Sequence, residues 1–535
     1  MHLPVLKASL PRLSASSDAQ PASASSSNPH RRPARSSHFA ALAALVLAAT
    51  TVRAGTLYLA NLSGANEIPP TTSTASGLGV LILNDQETQG VITATHNISL
   101  PLTGGHIHRG AANANGPVIF PFDAPSSPVG PLTWAIPAAD VANLKNLGLY
   151  MNFHTGVNPG GAIRGQLVRA VLAPAAADAT QARLAGVLDV SAGFDADLDR
   201  VLIQTNLATP AVQARTLQEL SARTVYVQSF QQLEAMASLT DSLFAHAAET
   251  RAVPASAAQT SGFFLAGGDF GKRGRSVNRA DSIFARPYVA GGVDFGINPT
   301  IRGGVAVGYV WNEDRFKGGS DETTSRTTTL HAFISTTLGT TGVMLDGVAG
   351  YGQADITATR NLVTLSRAAT TETDGTVWSA ALRASKAIIL QNQTTLIPYA
   401  SIDARQVRID GYREVGASSA GLVIPRRTTW NSALEGGATL IVPVEFHAHK
   451  LTARLQAGWS HLIEDGAGNF GTRLIGSPIG FATTVEGAGE NSAHFESSLT
   501  TELGKGTLGT VAYRGRWGSQ GYTVHAAEAR IAVKF

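Results

Sequence analysis

The sequence predicts a mainly β protein: an N-terminal antiparallel β-sandwich, a helical linker and a C-terminal transmembrane β-barrel. Three observations carry this reading. Apolar residues recur at every second position through most of residues 281–535. Only 15% of the 535 residues are Asp, Glu, Lys or Arg, against about 25% in a typical soluble domain, and there are 55 glycines. The chain also stops on an aromatic residue that completes an alternating segment, AEARIAVKF at 527–535. After residue 60 no apolar run reaches the roughly 18 residues that a membrane-crossing helix needs.

Residues 1–54 read as a signal peptide with an extended n-region. Arg31, Arg32 and Arg35 precede the apolar run FAALAALVLAAT at 39–50, and Val52-Arg53-Ala54 ends in small residues. This is the order of a secretory signal, with an apolar core too short to span a bilayer. Cleavage is expected after Ala54, with export through the Sec translocon; an uncleaved anchor is the competing reading. The first 38 residues, rich in Ser, Ala and Pro, are expected to be disordered. Much of the excess positive charge lies in this segment and the net charge is only +3. Basic patches with interleaved aromatics are not seen elsewhere, so nucleic acid is not an expected partner. The absence of Cys excludes disulfides, thiolate catalysis and Cys-based metal sites.

Residues 55–170 alternate short strand-like runs with Gly, Asn and Pro turns, the pattern of a sandwich. The runs LSGANEIPPTTSTASGLGVLILN, GGHIHRGAANANGPVIF and LYMNFHTGVNPGGAIRGQL, in that order and spacing, resemble the CHRD (chordin-like) domain. The resemblance implies little about activity, and leaves an unknown extracellular or periplasmic ligand as the domain's expected partner. One departure is Ala162, where an acidic residue is usual before Ile-Arg-Gly-Gln. His106 and His108 are two apart, so on a strand both rings share a face, and His154 stands in a second strand. Three imidazoles so placed form a candidate copper or zinc site, with His96 as a possible fourth ligand. The layout is similar to the histidine pairs of copper–zinc superoxide dismutase, but the bridging histidine, the Asp cluster and the cysteine pair of that enzyme are missing. The competing reading has the rings hydrogen-bonding backbone at a sheet end. Arg164, among apolar neighbours, is expected to be tied to a carboxylate or backbone carbonyl, and Trp134 and Tyr150 are expected in the core.

Residues 171–280 form a linker. Within 212–250 the apolar period changes: Tyr226, Phe230, Leu233, Met236, Leu243 and Ala247 recur at threes and fours, as on an amphipathic helix. Gln218, Gln228, Ser229, Gln231 and Gln232 suit a polar lumen. Asp195, Asp197 and Asp199 alternate in FDADLDRV, but the Gly and distal Glu of a calcium loop are absent, so a helix start or turn is expected.

In the last region, Val305, Val307, Tyr309 and Trp311 share a face, as do Leu330, Ala332 and Ile334, then Val343, Leu345, Ala349 and Tyr351, then Leu451, Ala453, Leu455, Ala457 and Trp459. Asp346, Gln353, Arg454 and Gln456 are expected on the opposite faces. In a membrane barrel the apolar face meets lipid, the polar face lines the lumen, and aromatics cluster at the interfaces. A soluble sandwich also alternates, but has no reason to end on an aromatic strand. GGVAVGYVWNEDRF, RLIGSPIGFATTVEGAGENSAHFESSLTTELGKGTLGTVAYRGRWG and the terminal IAVKF resemble the autotransporter β-domain, and TLQELSARTVYVQSFQQLEAMASLTDSLFAHAAETR resembles the segment that precedes it. The resemblance implies about twelve strands, a helix crossing the pore, and insertion into outer-membrane lipid by the barrel assembly machinery. It makes Ile531, Val533 and Phe535 the candidate assembly signal.

No GxSxG, HExxH or GxxxxGK[ST] occurs. The expected function is therefore display of a small non-catalytic module at the outer membrane of a Gram-negative bacterium, with the passenger on the cell surface or in the periplasm. Alternatives are a metal-dependent enzyme built on the three histidines, and a pore plugged by the helix.

Overall fold

The computed structural model describes residues 55–251, 260–276, 279–317, 321–446, 449–487 and 489–535. The expected signal peptide and its cleavage site lie outside them.

The N-terminal domain is built from β1 (Gly55–Ser63), β2 (Ser76–Asn84), β3 (Gln89–His96), β4 (Leu102–Arg109), β5 (Val118–Pro121), β6 (Val129–Ala135), α1 (Ala138–Lys145), β7 (Leu149–Thr155), β8 (Ile163–Gln166) and the short β9 (Val168–Arg169). All pairings are antiparallel, in the order β5-β4-β7-β8-β1-β2-β3-β6, with β9 also on β1. The expected sandwich is thus one sheet folded over itself. Met151 of β7 fills the space where a side chain at Gly79 of β2 would stand, and the ring of His96 on β3 packs 4.7 Å from that of Phe153 on β7. Between the halves lie Ile92, Ile107, Trp134, Leu149, Met151, Phe153 and Ile163. Trp134 is therefore core, as expected.

The linker holds more structure than its sequence pattern shows. It forms α2 (Ala179–Leu188), α3 (Ala196–Asn206), α4 (Pro210–Leu220) and α5 (Val227–Arg251). The single helix expected over 212–250 is broken between Leu220 and Val227. No Gly or Pro marks the break. It exists because the two helices bury against different partners: Leu217 and Leu220 join one core, Tyr226 and Phe230 another.

The barrel strands are β10 (Thr260–Arg273), β11 (Ser282–Asn298), β12 (Ile301–Phe316), β13 (Glu322–Leu338), β14 (Val343–Leu362), β15 (Arg367–Lys386), β16 (Thr395–Ile409), β17 (Arg427–Phe446), β18 (His449–Glu464), β19 (Asn491–Gly504), β20 (Thr507–Gly518) and β21 (Thr523–Lys534). Each pairs antiparallel with its neighbours in sequence, and β21 returns to β10 to close twelve strands. The barrel thus begins at Thr260, one strand earlier than the boundary at 281. The alternation of β10 is masked at its start, where Phe264 points outward while Phe263 and Leu265 are buried against α5; farther along, Asp269 and Arg273 face the lumen.

Outward residues are the expected ones. Val307, Leu330, Trp378, Trp459 and Ile531 are exposed, whereas Asp346, Arg454, Gln456, Glu528 and Arg530 are buried inside. Gln353 is a correction: it shares the outward face of Tyr351 and donates to its hydroxyl at 3.0 Å. Its spacing of two from Tyr351 dictates that.

The two ends of the barrel differ. Short links join Asn298 to Ile301, Leu338 to Val343, Phe446 to His449 and Gly504 to Thr507, at the end where Thr260 and Phe535 meet. Long connections at the other end, 409–427 and 464–491, carry a small sheet of Tyr412–Arg413, Leu422–Ile424, Gly468–Leu474 and Gly480–Val485. The outer face of β1–β2 (Leu57, Leu59, Val80, Ile82), helices α2–α4 (Leu184, Leu198, Leu202, Leu217), the β14–β15 turn (Leu365) and these connections (Ala420, Leu422, Leu474, Phe481) share one hydrophobic core.

From that core α5 descends into the lumen, which settles the pore position of the helix. Gln231 and Gln232 bond Asp314 and Ser325 near its start (3.0 and 2.8 Å). Glu234 pairs with Arg273 and Arg286, Ser238 bonds Asp269, and Ser242 bonds Glu528. His246 meets Asp294 at 3.0 Å, Glu249 meets Arg530 at 2.7 Å, and Arg251 pairs with Asp346 at the short-turn end. A charged lumen facing lipid outside is what the polar side of the alternation dictates.

Candidate metal centre

Strands β4, β7 and β8 lie side by side, and alternation sorts their residues onto two faces. Ile107, Met151, Phe153 and Ile163 enter the core. The opposite face carries His106 and His108 on β4, Tyr150, Asn152 and His154 on β7, and Arg164 on β8. Register aligns His106 with Asn152, His108 with Tyr150, Gly104 with His154, and Asn152 with Arg164. Gly104 makes room for a ring, since a side chain there would stand 2.8 Å from His106 Cε1.

The three histidines expected to meet do so. Ring centroids are 5.5 Å apart for His106–His108, 5.1 Å for His106–His154 and 5.9 Å for His108–His154. One ligand atom from each lies within 4.8 Å of the others. Two rings are oriented by backbone carbonyls: His108 Nδ1 sits 3.0 Å from Gly116 O, and His154 Nδ1 sits 2.9 Å from Pro159 O. A carbonyl only accepts, so each Nδ1 carries the proton and each Nε2 keeps its lone pair. His106 Nδ1, His108 Nε2 and His154 Nε2 are buried and have no hydrogen-bond partner among the described residues. Burial, followed by the neighbouring imidazoles for His106, holds the His106 and His108 rings below the usual histidine range. They are accordingly neutral at pH 7.

His108 is fixed from below as well. It stacks on Tyr150, centroids 4.8 Å apart and planes 5° from parallel. Arg164, 1% exposed, donates to Ala111 O (2.7 Å), Ala114 O (3.0 Å) and Asn115 Oδ1 (3.1 Å). It thereby clamps the 110–117 loop whose Gly116 carbonyl holds His108. The carbonyl tether expected for Arg164 is present, and Tyr150 is buried as expected, though as a stacking partner.

Glu67, not singled out from sequence, stands on the same face. Its Oε2 accepts from Asn152 Nδ2 at 3.2 Å, and its Oε1 is buried without a partner among the described residues. Burial pushes its carboxyl up to about 7, against the opposing field of Arg164. The carboxylate acting on Arg164 thus comes from Glu67 and not from position 162, where Ala162 is buried.

His96 is not a fourth ligand. Its Nε2 meets Pro125 O at 2.9 Å, its Nδ1 accepts from Ile98 N at 3.4 Å, and its ring lies on the core side against Phe153. The aspartates of FDADLDRV also have separate duties. Asp195 caps α3, Asp197 pairs with Arg367 at 2.7 Å, and Asp199 is buried and accepts from Gly193 N at 2.8 Å. The helix start expected there is correct.

Residues 58–167 match the model of the CHRD domain, and residues 263–514 match that of the Autotransporter beta-domain. The chain carries a CHRD domain followed by an autotransporter β-domain. It is an outer-membrane protein of the Gram-negative type. Among solved structures it is similar to the translocator domain of autotransporter NalP from Neisseria meningitidis (TM-score 0.46, 14% identity, covering 57% of this chain and 97% of that one). It is also similar to the β domain of the Bordetella autotransporter BrkA (TM-score 0.38, 14% identity, 51% and 98% covered). A third is the transport unit of AIDA-I from Escherichia coli (TM-score 0.39, 11% identity, 52% and 90% covered). No curated protein matches the chain.

Proposed function

We propose that the barrel displays the CHRD domain on the cell surface as a non-catalytic binding or structural module. The observation that supports this is the course of α5. It runs through the lumen from the long-connection end to the end of short turns, where Phe535 N donates to Thr260 O. In outer-membrane barrels the short turns are periplasmic and the long loops extracellular. The CHRD domain packs on the long loops through the shared core, and so faces outward. Sec export and the barrel assembly machinery are the partners proposed for biogenesis. Ile531 and Val533 on the closing strand, with Phe535 just past its end, are the proposed assembly signal.

The natural lack of cysteine makes the test clean. Val157→Cys, at a position 73% exposed on the CHRD domain, is expected to react with a membrane-impermeant maleimide on intact cells. Asn392→Cys, exposed at a short-turn-end link, is expected to react only after the outer membrane is permeabilised. The reverse pattern would place the domain in the periplasm.

A further inference from the structure

We infer that His106, His108 and His154 form a binding site for one divalent transition ion of the zinc(II)–copper(II) class, with a coordination position left for water or an exogenous ligand. Four features of the site lead there.

The first is convergence. Two strands bring three imidazoles onto one face, with a ligand atom from each within 4.8 Å of the others. Bonds of about 2.0–2.1 Å to zinc require nitrogens roughly 3.3 Å apart. The adjustment is an inward rotation of rings, and His106, half-buried and not held by either of the carbonyls that orient His108 and His154, is placed to make it.

The second is the orphaned nitrogens. Buried polar atoms are nearly always partnered, yet each of the three rings presents one buried nitrogen with no partner among the described residues. Three such atoms on rings whose centroids lie 5.1 to 5.9 Å apart are what a single cation would satisfy.

The third is the outer support. Metal-bound histidines characteristically donate their second N–H to a carbonyl or carboxylate, which fixes tautomer and orientation. His108 and His154 do this through Gly116 O and Pro159 O. The Arg164 clamp on the 110–117 loop and the Tyr150 stack hold the His108 ring in place.

The fourth is donor chemistry. Three neutral nitrogens with no carboxylate among the ligands suit zinc or copper and not calcium or magnesium, which take oxygen. Three protein ligands also leave a tetrahedral ion one open position. The half-exposed edges of His106 and His154 give that position access to solvent.

The test uses the full-length protein in detergent micelles, stripped with a chelator and then titrated with zinc(II) alone and with copper(II) alone. One ion per chain is expected. His106→Asn, His108→Asn and His154→Asn should each weaken binding by more than the roughly 100-fold that loss of an outer-shell partner costs. His96→Asn should leave binding unchanged. The copper-loaded wild type should show nitrogen superhyperfine structure from at least three imidazoles. This readout needs no variant, and so stands even where a substitution unfolds the domain. Retention of the ion by the triple His→Asn variant, binding well below one equivalent for both metals, or a copper spectrum with fewer than three nitrogens would overturn the assignment. None of these outcomes bears on surface display, which the maleimide experiment reads separately.

Discussion

The guanidinium carbon of Arg164 lies 3.5 Å from the centroid of the Tyr150 ring, and the same ring stacks on His108 from its neighbouring strand. One buried cation thus supports a loop, an aromatic ring and, through both, His108 of the candidate centre. Arg164→Met is expected to destabilise the CHRD domain by about 3 kcal/mol, because the buried charged donor that ties three acceptors of the 110–117 loop to the sheet is lost. Arg164→Lys should recover little, since an ammonium cannot reproduce a planar fork lying on a ring. Thermal unfolding of the domain, followed by limited proteolysis, measures both. A melting temperature unchanged in Arg164→Met would refute the clamp.

Glu67 gives the CHRD domain a pH dependence of predictable sign. Burial raises its folded carboxyl to about 7, above the ordinary value of 4.5. A group raised on folding contributes stability that is fully present below its unfolded value and lost as pH climbs through its folded one. Measured against Glu67→Gln, the metal-free wild type should therefore lose stability as pH rises between about 4.5 and 7, while the buried His96, His106 and His108, held below the usual histidine range, work in the opposite direction in both proteins. A difference in melting temperature between the two proteins that stays constant across this window would refute the assignment to Glu67.

Beside α5 the lumen keeps a cavity of about 130 Å³ on the side of Arg383, Arg405, Arg454, Arg514 and Arg516. Deleting residues 55–251 should open the pore, giving planar-bilayer conductance several-fold above that of the full chain. Equal conductance would mean that the helix does not block the lumen in a membrane.

Glu234 bridges Arg273 and Arg286 at the centre of that packing. Its replacement by Ala should lower the temperature at which the barrel loses its folded electrophoretic mobility, by an amount equivalent to about 2 kcal/mol. The two arginines keep Asp314 and Asp269 as partners, which limits the loss.

Phe535 is 78% exposed, and its amide donates to Thr260 O where β21 closes on β10. Phe535→Ser should reduce the folded barrel recovered in outer membranes several-fold while leaving the unfolded chain detectable in the periplasm. Full recovery would remove Phe535 from the assembly signal.

Alternation alone made the barrel legible, because a strand with lipid on one side and a charged lumen on the other must repeat every second residue. It failed at β10, where Phe263 and Leu265 pack on α5 and make the first part of the inner face apolar too, and the boundary slipped from Thr260 to 281. The helical period of α5 was equally plain, but not its separation from α4, since the sequence around Ser221 carries no breaker and only the two cores explain the bend. The histidine triad was visible as His106 and His108 two apart with His154 elsewhere in the chain. That the three meet, and that His96 does not join them, depends on the register of β4 against β7 and on which face Phe153 takes. Glu67 carried no local signal, because its burial comes from strands more than 80 residues away. The sequence by itself determined which residues face lipid, lumen or core, since those are properties of period along one strand or helix. Only the tertiary structure decided what those faces meet: which nitrogens are left without partners, which loop Arg164 holds, and at which end of the barrel the CHRD domain docks. Such contacts join residues far apart in the chain, and their distances are fixed by pairing and packing that no local pattern encodes.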